Sequence, residues 1–159
     1  MFGSGRLPPR TSISTDSISA ITSVSRALPP TENSTWRSLW VNNKDLWYKV
    51  RPDIDSVVHS HSPSVIPFGL VGVKMQAMFH NAAFLAAGVP VFDISEKFGA
   101  TDMLVSDPAK GVALAEALGG KDIALMRAHG AVACGPTLLT AVFRAVYTEV
   151  SARRSACTS

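Results

Sequence analysis

Residues 54–63 read IDSVVHSHSP, a stretch dense in β-branched residues that predicts a strand over Ile54–His59, halted by Pro63. On an extended chain, residues two apart project from the same face, so His59 and His61 share one. Their Cα atoms then lie about 6.6 Å apart at ~3.3 Å rise per residue. Imidazoles on that baseline can converge on one cation at metal–nitrogen distances of about 2.0–2.1 Å. A His-x-His pair also arises commonly by chance, so the rest of the chain must decide.

Downstream of it, strand and helix patterns interleave. Met75–Ala87 predicts a helix, with Gly88 just past its end. Val89–Ile94 predicts a short strand. Asp107 followed by Pro108 supplies a helix N-cap and a first-turn proline, opening Ala109–Leu118, and Gly119-Gly120 closes it. Ile123–Met126 and Ala131–Ala133 predict two more strands on either side of His129-Gly130. Gly135-Pro136 precedes a last helix, whose apolar stripe falls at Leu138, Leu139, Val142, Val146 and Val150. Such interleaving specifies an α/β or α+β class with helices packed on a sheet.

Upstream, composition changes near residue 36. Residues 1–35 hold eight Ser, five Thr and four Pro with Phe2 as the one aromatic, too little apolar mass to offset ordering entropy. They predict a disordered segment 1–35 ahead of a domain over 36–159. The segment lacks the apolar centre of a secretory signal, and its weak amphipathicity argues against a transit peptide.

The 159 residues suffice for one domain, and its two cysteines, Cys134 and Cys157, exclude a disulfide framework and a four-cysteine zinc site. Few cysteines suggest a reducing compartment, so the expected location is cytoplasmic. The longest apolar run, Ala82–Phe92, contains Gly88 and Pro90 and is too short to span a membrane. The net charge of +3 comes wholly from residues 1–50, where six basic residues oppose three acidic ones. No basic cluster with interleaved aromatics follows, so neither nucleic acid nor membrane is an expected partner.

His129 bears on the metal question. It lies between two apolar strands, where a polar ring is hard to satisfy, and Gly130 lets the backbone turn and approach a neighbouring strand or a ligand. Three imidazoles would leave coordination positions open, which suits a catalytic divalent ion better than a closed structural one. The alternative is an ordinary turn histidine. His80, within an apolar segment, reads as a hydrogen-bonded core residue. Lys121, after two glycines, reads as a turn residue, because no GxxxxGK[ST] frame surrounds it. Cys134 reads as a small buried hydrophobe.

Two longer motifs go further. Tyr48–Pro63 (YKVRPDIDSVVHSHSP) and Ala124–Pro136 (ALMRAHGAVACGP), in that order with a helical segment between, resemble the class II aldolase/adducin superfamily over about residues 46–154. SPSVIPFG (62–69), GVPVFDI (88–94), TDMLV (101–105) and AVFRAVYTEVSAR (141–153) are most similar to its decarboxylase-like branch, which acts on hydroxy-carboxy-muconic semialdehydes and related acids. The resemblance implies a three-layer α/β/α sandwich around a mixed, largely antiparallel sheet, usually as a homo-oligomer. It implies that His59, His61 and His129 ligate a divalent metal, zinc foremost with manganese or magnesium as alternatives, and that His80 contacts substrate or supports the site.

The match is incomplete upstream. Family members carry a glycine-rich, anion-binding loop before the tyrosine, and nothing in residues 1–35 resembles it, so the domain is expected to be truncated at its N-terminus. The family's acidic catalytic residue falls at Trp40, and a histidine expected four residues later falls at Lys44. The catalytic acid/base is therefore unassigned.

The expected activity is a metal-dependent carbon–carbon lyase, an aldolase or decarboxylase acting on a small hydroxy or keto acid or a sugar phosphate. The alternatives are a catalytically impaired copy, or an adducin-like interaction domain, a type that tends to lose the metal histidines.

Overall fold

Along Ile123–Met126 and Gly130–Gly135 every residue is buried, so both strands must be covered on two faces. In the computed structural model, which describes residues 51–156 and the backbone of residues 21–26, they form the centre of a five-stranded sheet. The strands are β1 (Ile21–Arg26), β2 (Ser56–Ser60), β3 (Val91–Phe92), β4 (Ile123–Met126) and β5 (Gly130–Gly135), in the order β1-β2-β5-β4-β3. The β3–β4 pair is parallel and the other three pairs are antiparallel. The mixed, largely antiparallel sheet is thus as expected.

Alternation along the strands sorts the core into two. Ala124, Met126, Val132 and Cys134 face Phe92, Ile94, Val105 and the residues Ala113, Leu114 and Leu118 of α2 (Pro108–Leu118). Ile123, Leu125, Ala131, Ala133 and Val58 face the other way, onto Val65, Met75, Ala82, Leu85 and the alanines Ala141, Ala145 and Ala152 of α3 (Leu138–Ala156). Each face of the sheet carries its own core, which gives the three layers.

The α2 boundaries follow the predicted signals. The Asp107 carboxylate accepts the Lys110 N–H at 3.0 Å, Pro108 occupies the first turn, and Gly119 ends the helix at φ +53°.

Three elements differ from expectation. Residues 75–79 are not helical, and His80–Ala87 is a 3₁₀ helix. The cause is Ser151 on α3, whose hydroxyl donates to Gln76 O at 2.9 Å and accepts from Met78 N–H at 3.2 Å. Those bonds take up backbone groups that a helix would need. The strand expected over Val89–Ile94 is confined to Val91–Phe92, because Asp93 leaves it to cap a short helix α1 (Ile94–Phe98), accepting the Ser95 N–H at 2.9 Å.

The third difference is in α3. Its buried residues are Ala141, Ala145, Thr148, Glu149, Ser151 and Ala152, whereas Leu139 of the predicted stripe is 79% exposed. Close approach selects small residues here: a Cβ on Gly135 would stand 2.9 Å from the Ala141 backbone nitrogen. Larger side chains would hold the helix off the sheet.

Within the segment assigned to disorder, Ile21–Arg26 pairs with the outer edge of β2, and the remainder of 1–35 lies outside the described residues. No described helix is long and apolar enough to cross a membrane.

Candidate metal centre

The chain delivers histidines to one end of the sheet from two directions. β2 carries His59 within its paired length and His61 just beyond it. β4 and β5 are joined by Arg127, Ala128 and His129, with Ala128 in the left-handed region at φ +54° and His129 N–H donating to Met126 O at 3.0 Å. A three-residue hairpin loop needs such a left-handed residue to return the chain. Gly130 then lets β2 come against the loop, since a Cβ there would lie 2.2 Å from Ser60 O and 3.1 Å from His61 Cδ2. The predicted role of Gly130, close passage of a neighbouring strand, is the one seen.

The rings of His59, His61 and His129 gather as a result. Their centroids are 4.7, 4.9 and 4.8 Å apart, and each offers a ligand atom within 4.8 Å of the others. His59 Nε2 and His61 Nε2 are 2.9 Å apart. His59 is buried, His129 partly so and His61 exposed, so the cluster opens toward solvent on one side.

His59 Nδ1 lies 3.1 Å from Ala131 O. A carbonyl only accepts, so Nδ1 carries the proton and donates it, leaving the Nε2 lone pair directed at the cluster. Burial, then the neighbouring His129 and His61, push the His59 pKa down to about 3. Burial and His61 also lower that of His129, against a smaller upward pull from the Met103 backbone. Both rings are therefore held neutral, the form that ligates a cation.

This donor set fits a divalent cation. Nitrogens bonded at about 2.0–2.1 Å stand roughly 2.9 Å apart at a right angle and about 3.4 Å apart at a tetrahedral one. The 2.9 Å Nε2 separation is at the short end of that span. His129 Nδ1 is in addition buried without a hydrogen bond. Among the described residues no Asp, Glu or Cys joins the three.

His80 stands apart from them. It is exposed at the start of the 3₁₀ helix, its ring 6.3 Å from that of Phe79, so the core role expected for it is not what the structure shows. Cys134 is buried as expected, and Lys121 sits in the turn before β4. Trp40, Lys44, Asp45 and Glu32 lie outside the described residues.

Sequence reasoning missed one contact at the site. Arg127 Nε lies 3.1 Å from Asp93 Oδ2, tying the histidine loop to the start of α1. Nothing in the spacing of residues 93 and 127 signals it, because only the β3–β4 pairing brings them together.

Comparison with known proteins gives a family context. Residues 46–155 match the family described as Class II Aldolase and Adducin N-terminal domain. Decarboxylase tropJ of Talaromyces stipitatus is 33% identical over 117 residues, covering 67% of this chain and 44% of that protein. The 3,4-dihydroxyphthalate decarboxylase of Arthrobacter keyseri is 27% identical over 107 residues, covering 64% of this chain and 40% of its own length. The chain thus spans less than half the length of these curated relatives. In fold, it is similar to L-fuculose-1-phosphate aldolase from Thermus thermophilus, with a TM-score of 0.61 at 20% identity over 82% of this chain and 64% of that one. An aldolase II superfamily protein from Pseudomonas syringae gives 0.60 at 15% identity, over 82% and 49% of the two chains.

Proposed function

This chain belongs to the class II aldolase and adducin N-terminal domain family, and from that premise we propose that it is a metal-dependent carbon–carbon lyase of the decarboxylase kind. The observation carrying this reading is the convergence of His59, His61 and His129, with ligand atoms within 4.8 Å of one another on a cluster open to solvent. The proposed substrate is a small hydroxy or keto acid with oxygen next to the departing carboxylate; the name of the Arthrobacter relative, a 3,4-dihydroxyphthalate decarboxylase, supports a hydroxylated aromatic acid among these.

His59, His61 and His129 would hold the cation. Zinc fits three neutral imidazoles best, while manganese and magnesium favour oxygen ligands. When bound, such an ion supplies Lewis acidity toward substrate oxygens, stabilising negative charge as the C–CO2 bond breaks.

The remaining work belongs to side chains and backbone. The Ala131 carbonyl fixes the His59 tautomer and so the direction of its lone pair. Burial keeps His59 neutral well below physiological pH, so no proton competes for Nε2. His61 and His129, on the open side, leave room for substrate to enter. His80, exposed beside Phe79, is the proposed substrate-facing histidine outside the cluster.

Exposed Leu138, Leu139 and Phe143 on α3, with Leu70, Val71 and Val73, fit a homo-oligomer. A cytoplasmic setting fits the buried, free Cys134.

The test is cation binding and turnover on the purified full chain. After chelator treatment, Zn2+, Mn2+ and Mg2+ are titrated calorimetrically, and CO2 release is followed with 3,4-dihydroxyphthalate and with hydroxy-semialdehyde acids. Expected are one tight Zn2+ site per chain, lost in H59A, H61A and H129A but kept in H80A, and cation-dependent CO2 release. A wild-type chain that binds no divalent ion, or that H129A leaves unaffected, removes the proposal.

A further inference from the structure

His129 reaches the cluster from a loop whose own bonding is sparse. The loop spends an unfavourable left-handed conformation on Ala128, at φ +54°, and its internal backbone hydrogen bond is His129 N–H to Met126 O. A non-glycine residue in that region persists when its surroundings hold it there.

Two contacts reach the loop from β3 and α1, both through Arg127. Its backbone N–H donates to Phe92 O at 2.9 Å, extending the β3–β4 pairing by one step. Its guanidinium Nε lies 3.1 Å from Asp93 Oδ2. Asp93 is itself fixed, for its Oδ1 accepts from both Ser95 N–H at 2.9 Å and the Ser95 hydroxyl at 2.6 Å. The carboxylate is divided between two tasks, one oxygen capping α1 and the other anchoring the arginine two residues before His129.

We propose that the Asp93–Arg127 pair is a positioning device for the metal centre, holding the β4–β5 loop so that the His129 ring meets those of His59 and His61. The proposal rests on the metal reading above but acts through geometry present in the metal-free chain. Arg127 touches none of the three rings among the contacts described, so its effect passes through the loop backbone. Its side chain is 48% exposed and that of Asp93 17%, which makes the pair half-open and its contribution modest.

The two oxygens of Asp93 can be separated experimentally. Asp93→Asn keeps an oxygen to cap Ser95 but replaces the arginine's acceptor with an amide that only donates. Arg127→Met removes the other partner without touching the cap, and Arg127→Lys keeps a charge within reach of Asp93. Two readouts are taken on the full chain: amide hydrogen exchange at residues 128–130 in the metal-free protein, and Zn2+ affinity by calorimetry.

Faster exchange is expected in D93N and R127M, with Zn2+ affinity reduced about fivefold in each. The double variant is expected to be no worse than either single change, and R127K to recover part of the loss. Exchange and affinity equal to wild type in D93N and R127M, or losses that simply add in the double variant, overturn the proposal. Should D93N fail to fold, R127M and R127K decide alone. If wild type binds no Zn2+, the metal reading fails, and unchanged exchange in the variants would then show that the pair does not hold the loop either.

Discussion

Replacing Gly130 by alanine tests how the site is assembled. An added Cβ would stand 2.2 Å from the Ser60 carbonyl oxygen, and reaching the 3.0 Å floor that real contacts respect demands about 0.8 Å of movement. Neither side can yield cheaply, because the obstacle is backbone within the β2–β5 ladder. Overpacking of this kind costs about 1–3 kcal/mol. Weakening the two nearest ladder hydrogen bonds adds about 1 kcal/mol each. The expected loss is therefore about 3–5 kcal/mol in urea unfolding, together with reduced Zn2+ affinity, as β2 carries His61 away from His129. Gly120→Ala is the internal control: nothing lies within 4 Å of its new methyl group, and no positive φ is involved. That change should be neutral or stabilise by about 0.4–1 kcal/mol. A Gly130→Ala chain within about 1 kcal/mol of wild type in urea unfolding, with Zn2+ binding intact, would refute the claim that strand approach builds the centre.

Other perturbations probe the layers around it. Burial first of all pushes the Cys134 thiol up to about 11 from an ordinary 9.0. In a Cys157→Ser background it should resist Ellman's reagent at pH 8 when native and react fully in urea; rapid native labelling would contradict its burial. Because the folded thiol keeps its proton longer than the unfolded one, this contribution is complete below pH 9 and disappears toward pH 11, a change of about 2–3 kcal/mol. Leu114→Ala, at a fully buried position between α2 and the sheet, should cost about 2–5 kcal/mol in the same urea assay, and a smaller loss would mean the site collapses around the cavity. Ala128→Gly should gain up to about 1 kcal/mol by relieving the left-handed residue, less what glycine's freedom in the unfolded chain takes back. A clear loss would place a needed contact on the alanine methyl group.

Legibility in the sequence followed the range of the forces involved. The α2 signals are local, Asp107 bonding three residues ahead and Gly119 closing the last turn, and these were readable. The histidine pair on β2 and the glycine after His129 were likewise readable, because strand geometry and glycine's bareness act within a few residues. What escaped depends on distant partners. Ser151 diverts the backbone at Gln76 and Met78 across 75 and 73 residues of chain, turning a predicted helix into an irregular stretch before a 3₁₀ one. The α3 face escapes sequence reading because hydrophobic periodicity locates large side chains, whereas contact with the sheet at Gly135 and Ala141 selects small ones.

The electrostatics of the cluster make a stronger case for a cation than the spacing does. Three imidazoles held together would repel if charged, and burial already penalises a proton on His59. Neutral rings escape that penalty but bring another, since inward-facing lone pairs only accept and cannot satisfy one another. His59 spends its one N–H on Ala131, so its Nε2 cannot donate to the His61 Nε2 that lies 2.9 Å away. His61 can donate there in the metal-free chain only if it adopts the Nε2–H tautomer, which turns a lone pair away from the cluster. A divalent cation satisfies all three rings without any of them having to protonate. The Ala131 carbonyl belongs to the residue two beyond His129, so one short run of β5 and its loop both supplies the third ring and sets the tautomer of the first. A change at Gly130 should therefore disturb His59 as well as His129, although the two are far apart in sequence.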